Sequence, residues 1–419
     1  MNTHSPGEAK RVALTLAAAQ AVVGAAAPIA VSLGGLAGSY LLGVDKSLAT
    51  APVTGYNLGV ALGALPAAAL MSAVGRRNGF MIGTVATSLG GAFAALALMA
   101  GSFWLFALAL VVIGSGGAFV QQYRFAAADN APEHFRPRAI AWVLCGGIFG
   151  AIIGPQTVIH TSELLAPVMF AGSFVAIIGL GIVGAVILSF LRLRQPLPRQ
   201  AAAQGPAQRP LGAILAQPRF IVGLACAVGS YAMMSFVMTG APLAMQGCGF
   251  SIDQAALGIQ WHVMAMFAPS FVTGRLISRF GREAVIATGL LLLTGCAAIA
   301  LSGVALWNFW LALVFLGAGW NFGFIGATAI VADTYRPSEK SKVQGAHDFI
   351  LFGTVSFGSL MSGRVLNAFG WSWLNWTILP FAGLCLALLG WLVLTGRHRP
   401  VGRRIGSGPD DAEADIAMS

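Results

Sequence analysis

Continuous apolar runs, each long enough to cross a bilayer as a helix, constrain this chain more than any other feature of its sequence. A membrane-spanning helix needs about 20 apolar residues. Twelve such runs can be drawn, near 12–36, 48–73, 78–100, 103–127, 139–160, 167–191, 219–241, 254–274, 284–304, 309–332, 342–366 and 373–396. Their apolar residues are consecutive and do not alternate with polar ones, which excludes a transmembrane barrel. The sequence therefore predicts an all-α integral membrane protein with twelve transmembrane helices.

The composition leaves too few charged residues to cover a water-facing surface. Only 9% of the 419 residues are charged, whereas 57% are hydrophobic and the mean hydropathy is +0.80. A soluble domain carries roughly 25% charged residues. The 54 glycines fit closely packed membrane helices, in which small side chains let backbones approach.

The longest polar gap divides the chain into two halves of six predicted spans each. It is rich in Arg, Pro, Gln and Ala, a composition typical of a solvated linker. We therefore expect an N-terminal six-helix bundle over 1–191, a cytoplasmic linker over 192–218 and a C-terminal six-helix bundle over 219–396. The tail, 397–419, is basic and then acidic and is predicted to be disordered.

The positions of the cations predict the orientation in the membrane. With the N-terminus inside, nearly every Lys and Arg falls in or beside a cytoplasmic gap or terminus. Lys46 is the clear exception, and Arg124 and Arg364 lie within spans. The positive-inside rule therefore places both termini in the cytoplasm. This topology also explains the net charge of +10, so no nucleic-acid partner is expected.

An internal repeat supports a duplicated six-helix unit. Asp129 and Asp333 are 204 residues apart and stand in similar polar, proline-broken gaps. Gly75 and Gly281 are 206 residues apart, and each is followed directly by arginine between two apolar runs. A parallel repeat of this length predicts two halves related by a pseudo-two-fold axis.

The segment Gly274-Arg-Leu-Ile-Ser-Arg-Phe-Gly-Arg282 resembles the loop signature of the major facilitator superfamily, Gly-x-x-x-Asp-Arg-x-Gly-Arg. Ser278 stands at the place of the usual Asp, and Ser72 does so in the earlier, poorer copy. The resemblance covers essentially the whole chain. It implies a secondary transporter without cofactors, in which this segment is the cytoplasmic hinge loop between spans eight and nine.

Because both copies lack the acid, the cytoplasmic gate must take its acids from elsewhere, and Asp129, Asp333 and Asp348 are the candidates. The predicted gate residues are Gly75, Arg76, Arg77, Gly274, Arg279, Gly281, Arg282, Asp129 and Asp333.

Shorter segments bear on the substrate and the direction of transport. Gly258–Phe271 and Gly319–Thr328 are similar to a proteobacterial branch of uptake carriers in which riboflavin import has been proposed. This implies proton-coupled uptake of a planar nutrient such as riboflavin. Gly150–Pro155 resembles an element of the antiporter branch, without its trailing glycine pair, so drug or metabolite efflux by proton antiport is the alternative. A scaffold or sensor without transport is a third hypothesis, but it does not explain polar residues deep in the spans.

Arg124 is the leading polar residue inside a span, where burial is costly. It shares a helix face with Gln121, and Asn321 lies on the stripe related by the repeat. If both stripes face a central cavity, Arg124 would hold an anionic or carbonyl-rich substrate. Alternatively, Arg124 extends to the inner interface and pairs with a headgroup or with Asp129.

Asp348 and His347 in span eleven are the candidate proton carriers, because a buried acid can load a proton on alternate sides of the membrane. Alternatively, Asp348 pairs with the cations of the hinge loop as a gate latch. His262 in span eight, 206 residues after Tyr56, suits coupling because histidine titrates near neutral pH. The alternative for His262 is a hydrogen-bonded packing residue.

Trp261, Trp320 and Tyr231 are candidates to stack a planar ligand, although aromatic residues at helical spacing also serve as packing. The predicted substrate-binding residues are Arg124, Gln121, Tyr56, Gln260, Trp261, His262, Trp320, Asn321 and Tyr231.

The sequence contains no signature of an enzyme. It has no phosphate-binding Gly-Lys-Ser/Thr loop and no Cys/His cluster with zinc spacing, and its five cysteines are scattered. We expect no enzymatic activity, cofactor or metal. The expected partners are a small-molecule substrate, protons and membrane lipid, for a monomer with many spans in a bacterial inner membrane.

Overall fold

A computed structural model describes residues 6–132, 135–193, 209–336 and 339–396. The helices in these ranges are α1 (Pro6–Val23), α2 (Ala26–Leu41), α3 (Ala51–Val74), α4 (Arg76–Met99), α5 (Phe103–Val120), α6 (Tyr123–Asp129), α7 (Arg136–Thr161), α8 (Ala171–Ser189), α9 (Leu211–Leu215), α10 (Pro218–Gly247), α11 (Ile252–Phe267), α12 (Ser270–Phe280), α13 (Arg282–Leu301), α14 (Leu306–Ala332), α15 (Lys340–Trp376) and α16 (Ile378–Leu394). The predicted tail, 397–419, and most of the predicted linker, 194–208, lie outside the described residues.

Within the described ranges, ten helical stretches are long and apolar enough to cross a membrane, and α11 with α12 forms an eleventh across a 41° bend. The longest stretch, Lys342–Leu394, has 53 residues. At 1.5 Å per residue it would measure about 80 Å, against a bilayer core of about 30 Å. Gly370, with φ 80°, breaks it, so it makes two crossings. The predicted fold of twelve transmembrane helices in two six-helix halves is confirmed, with α1–α8 in the first half and α10–α16 in the second.

Several predicted spans are interrupted, among them spans four and eight. Span four consists of α5 and α6 with a turn at Gln121 and Gln122 between them. Span eight consists of α11 and α12, and Pro269 lies in the break because it has no backbone N–H to continue the helical ladder.

The signature segment is not the loop that the sequence predicts. Residues 274–280 form the last turns of α12, and α13 begins at Arg282, so Gly281 alone makes the turn. Gly75 makes the same turn between α3 and α4. Their backbone angles are nearly equal, φ 84°, ψ 153° at Gly75 and φ 87°, ψ 162° at Gly281. Essentially only glycine adopts this region, because any Cβ would clash with the backbone.

In the described part of the chain, the cores of the two six-helix halves pack against each other at one end of the helix bundle and not at the other. We call the end with the Gly75 and Gly281 turns the basic end, and the other the opposite end. At the opposite end, Val31 and Val53 of the first half pack into the core of the second, and Leu243 and Ala256 of the second pack into the core of the first. At the basic end, separate clusters lie within single halves, such as Ala9 to Leu191 and Ile214 to Val343. Apolar packing therefore joins the halves at the opposite end.

A buried carboxylate fixes the end of the linker to the second half. The side chain of Glu339 is fully buried. Its Oε1 accepts hydrogen bonds from the Arg209 backbone N and Nε, both at 3.0 Å, and its Oε2 accepts one from Arg209 Nη2 at 2.7 Å. The Arg336 backbone N also donates to Oε2, at 2.9 Å. These donors, above all the Arg209 guanidinium, hold the pKa of Glu339 well below its usual range.

Replacing the turn glycine should destabilise the protein. We expect Gly281→Ala to lower the free energy of unfolding by about 1–3 kcal/mol, because alanine is strained at this φ and ψ. Gly274→Ala is the matched control: Gly274 lies inside α12, and no atom lies within 4 Å of an added Cβ. It should be neutral or mildly stabilising. The thermal midpoints of both purified variants measure this, and equal midpoints would contradict the assignment.

The Glu339 site should make stability depend on pH. A carboxyl whose pKa is lower in the folded state stabilises the protein fully above its unfolded-state pKa, about 4.3. That contribution is lost as the pH falls through the folded-state pKa. Glu339→Gln should therefore lower the thermal midpoint at pH 7, and the gap to the parent should narrow below about pH 4. The exposed Glu163→Gln is the control and should follow the parent at every pH.

Candidate functional site

Four aromatic side chains of the second half form a compact group in mid-span. The ring of Tyr231 on α10 stands edge-on to Trp320 at 5.4 Å, to Phe324 at 5.2 Å and to Phe352 at 5.9 Å. Trp320 and Phe324, both on α14, stack at 5.2 Å with an interplanar angle of 16°. We call these four residues the aromatic group. Trp320 Nε1 is buried and has no hydrogen-bond partner among the described residues.

Charged residues from both halves meet beside the aromatic group. Arg124, at the start of α6, interacts electrostatically with Asp348 on α15 and with Tyr231. Its Nε is buried and has no partner in the described part of the chain. Tyr56 of α3 lies near Tyr231. The structure thus places four predicted site residues around Tyr231. Arg124 and Tyr56 belong to the first half, and Asp348 and Trp320 belong to the second.

Asp348 is held by its neighbour in the chain. His347 Nδ1 lies 2.9 Å from Asp348 Oδ1; the Asp348 side chain is 58% exposed, whereas that of His347 is 6% exposed. The acid is therefore exposed on the surface of the helix bundle, while its histidine partner is enclosed. Asp348 lies near enough to Arg124 for the carboxylate and the guanidinium to attract each other.

The predicted gate residues form ion pairs within each half. Arg76 Nη2 lies 2.6 Å from Asp129 Oδ2 and ties the α3–α4 turn to the end of α6. In the second half Asp333 pairs with Arg282 and with Arg219, whose Nη2 lies at 2.9 Å. Asp129 has Arg76 as its partner, which makes a pair of Arg124 with Asp129 less favoured. Arg282 has Asp333 as its partner, which makes a pair of Asp348 with this hinge cation less favoured. Arg77 donates to the backbone oxygen of Ser189 at 2.7 Å.

Two predicted binding residues make hydrogen bonds inside the protein, although Nε2 of His262 is buried without a partner in the described part of the chain. His262 is fully buried, and its Nδ1 lies 2.8 Å from the backbone oxygen of Leu313. Asn321 is also fully buried: its Nδ2 donates to Met266 O at 2.6 Å and its Oδ1 accepts from Thr273 at 2.6 Å. Asn321 therefore joins α14 to the bend between α11 and α12. We leave both residues out of the proposed site.

The remaining predicted residues differ in exposure and in partners. Gln121 is exposed at the end of α5, and Trp261 is 42% exposed on α11. Gln260 is buried and accepts a hydrogen bond from Gln156 Nε2 at 3.0 Å. Arg279 lies with its guanidinium 5.2 Å from the ring centre of Phe280.

Sequence reasoning missed Phe324, Phe352 and Gln156. Phe324 follows Trp320 by four residues and so shares its helix face, a signal that was present in the sequence. Gln156 is a polar residue inside the span that becomes α7, which is also a usable signal. Phe352 had no comparable signal, because only the tertiary fold brings α15 against α10.

The hydrogen bonds between the halves in the described part of the chain lie toward the opposite end. Gln156 of α7 donates to Gln260 of α11. The buried Thr50 hydroxyl, just before α3, accepts from the backbone N of Gly363 on α15 at 3.2 Å. These contacts coincide with the shared apolar packing, whereas the ion pairs described at the basic end each lie within one half. The site around Tyr231 is therefore closed toward the opposite end.

Comparisons with known proteins agree with this architecture. The model of the Major Facilitator Superfamily matches residues 12–270 and 264–412. The chain is 49% identical over 381 residues to the riboflavin transporter RfnT of Brucella anthropi, covering 91% of this chain and 95% of that protein. It is 30% identical over 386 residues to the uncharacterized MFS-type transporter YddS of Bacillus subtilis, covering 87% of this chain and 86% of that protein.

Solved structures share the fold at low sequence identity. The xylose transporter XylE from E. coli, in a partially occluded inward open conformation, has a TM-score of 0.68 at 13% identity and covers 91% of this chain and 98% of its own. The human organic anion transporter MFSD10 has a TM-score of 0.65 at 16% identity, covering 92% and 100%. The chain therefore belongs to the Major Facilitator Superfamily, as a multi-pass membrane transporter and not an enzyme.

Proposed function

We propose that this chain imports riboflavin across the bacterial inner membrane by alternating access, coupled to protons. The observation that carries the proposal is the 49% identity to a riboflavin transporter across 91% of this chain and 95% of that protein. The geometry around Tyr231 supplies groups that suit such a substrate.

The aromatic group suits the flat isoalloxazine ring of riboflavin. Aromatic rings attract each other in offset-stacked or edge-to-face arrangements, each worth about 0.5–1.5 kcal/mol beyond the burial of apolar area. Trp320 and Phe324 present nearly parallel rings, and Tyr231 presents its edge. The unpartnered Trp320 Nε1 is a donor for a ring nitrogen or carbonyl oxygen of the ligand.

Arg124 suits the carbonyl oxygens and hydroxyl groups of the same molecule. Guanidinium is a donor only, with five N–H bonds in a fixed geometry. A buried donor without a partner costs free energy, and a ligand oxygen would remove that cost. The buried Nε of Arg124 therefore supports ligand binding on the first-half side of the seam.

Asp348 links a proton to substrate binding in this proposal. When ionised, the carboxylate attracts the Arg124 guanidinium across the seam. Protonation removes that attraction and leaves Arg124 available to the substrate. By linkage, substrate binding then favours proton binding to the same extent. His347 is the adjacent group that can exchange a proton with Asp348.

In alternating access, the halves would separate at the end where they now touch and come into contact at the other end. In the described conformation the opposite end is packed, and in this proposal the site opens toward the basic end, which we propose to be cytoplasmic. The ion pairs within each half let the two halves move as separate units. The alternative of efflux rests on Gly150–Pro155 alone, and the comparisons do not favour it.

Riboflavin uptake by cells tests the proposal directly. Expression in a riboflavin auxotroph should restore growth on low riboflavin and accumulate labelled riboflavin. Trp320→Ala should raise KM about tenfold, the effect of losing about 1.4 kcal/mol of ring contact. Trp307→Ala, whose ring is 60% exposed, is the matched control and should transport like the parent. No uptake by a correctly inserted parent protein would refute riboflavin as the substrate.

The coupling role of Asp348 predicts a split between two transport assays. Asp348→Asn should abolish accumulation driven by a pH gradient, because the residue can no longer carry a proton. Exchange of labelled for unlabelled riboflavin at equal pH should persist. The exposed Asp253→Asn is the control and should retain both activities. Loss of both activities in a folded Asp348→Asn protein would instead indicate a structural role and contradict coupling.

A further inference from the structure

Two side-chain amides from different halves meet at the closed seam. Gln156 Nε2, on α7, donates to Gln260 Oε1, on α11, at 3.0 Å. Gln260 is only 9% exposed, and Gln156 is half-buried. In a region of low dielectric, separating the two amides without replacement would leave buried donors and acceptors unpaired. Opening of the seam is therefore opposed by the cost of unpaired amide groups as well as by the loss of packing.

The other contacts at the seam differ in kind. Val31 and Val53 contribute apolar packing, which has no directional requirement. The Thr50 hydroxyl accepts from the Gly363 backbone, and a hydroxyl can turn to other partners as the helices move apart. Among the hydrogen bonds across the seam in the described part of the chain, the amide pair is the one between two side-chain amides, and a ligand can replace each amide group for group.

We propose that the Gln156–Gln260 hydrogen bond is a latch between the halves and that the substrate opens it by replacement. The ligand class is a planar solute with an imide edge, –CO–NH–CO–. An imide carbonyl would accept from Gln156, and the imide N–H would donate to the Gln260 oxygen. One amide–amide bond is exchanged for two amide–imide bonds, so neither glutamine is left unpaired. This inference rests on the proposed function for its substrate, because the pyrimidine ring of riboflavin carries such an edge.

The latch itself can be tested without substrate. Val53, in the first turn of α3, is fully buried at the seam, so a cysteine there reacts with a thiol reagent only when the opposite end opens. The measurement is the labelling rate of Val53→Cys in purified protein in which the exposed Cys248 and the half-buried Cys145 are replaced by alanine. Gln156→Leu or Gln260→Leu should raise the rate about fivefold, the population change expected from one neutral hydrogen bond.

Two further variants separate the latch from general loosening. The double variant Gln156→Leu/Gln260→Leu should label no faster than either single one, because both remove the same bond. Gln217→Leu removes an amide hydrogen bond to Thr334 O that lies wholly within the second half, and it should leave the rate unchanged. Unchanged labelling in the two latch variants, or additive effects in the double variant, would overturn the latch.

Riboflavin tests the replacement step. Saturating riboflavin should raise Val53→Cys labelling in the parent background, and the analogue methylated at the imide nitrogen should not, because it lacks the N–H donor. In Gln260→Leu, riboflavin should add nothing. Riboflavin that is transported but leaves labelling unchanged, or an equally effective methylated analogue, would overturn the replacement while the proposed function stands. Absence of riboflavin uptake would refute the proposed function, and the substrate-free rates would still decide the latch.

Discussion

The unequal packing of the two halves along the membrane normal is the constraint on which the rest of this structure depends. Inside the bilayer there is little hydrophobic gain from bringing helices together, so small residues, close packing and a few hydrogen bonds decide where halves touch. Here those contacts concentrate at the opposite end, where Val53 and Leu243 cross into the other half's core. The few polar groups between the halves therefore stabilise the conformation that is closed at the opposite end, without preventing the conformation that is closed at the basic end.

The basic end is organised to keep each half intact rather than to join them. Gly75 and Gly281 allow single-residue turns, and Asp129 and Asp333 tie those turns to the end of a neighbouring helix in the same half. The family's signature acid is missing from both copies. Its place is taken by Asp129 at the end of span four, which pairs with Arg76, and by Asp333 at the end of span ten, which pairs with Arg282. Rigid halves with a loose seam between them are what a rocking movement requires.

The sequence predicted the parts of the fold that the bilayer enforces and missed those that depend on tertiary neighbours. Span number and the repeat follow from lengths and spacings that lipid makes obligatory. Helix periodicity assigned Asn321 to the cavity face, but α14 directs this amide into the bend between α11 and α12, which no local pattern encodes. For the same reason the fold alone shows that Arg76 partners Asp129, and that Phe352 completes the aromatic group. Arg124, Tyr231 and Asp348 could be chosen because polar groups in spans are few.

The central claim is that the two ends of the seam open in opposition, and distances between spin labels at both ends test it most directly. One pair belongs at the exposed Ser72 and Gln344 of the basic end, the other at the exposed Lys46 and Asn367 of the opposite end. On adding riboflavin, the account predicts a new population in which the basic-end distance is shorter and the opposite-end distance is longer. Distances that stay fixed at both ends, or that lengthen together, would contradict it.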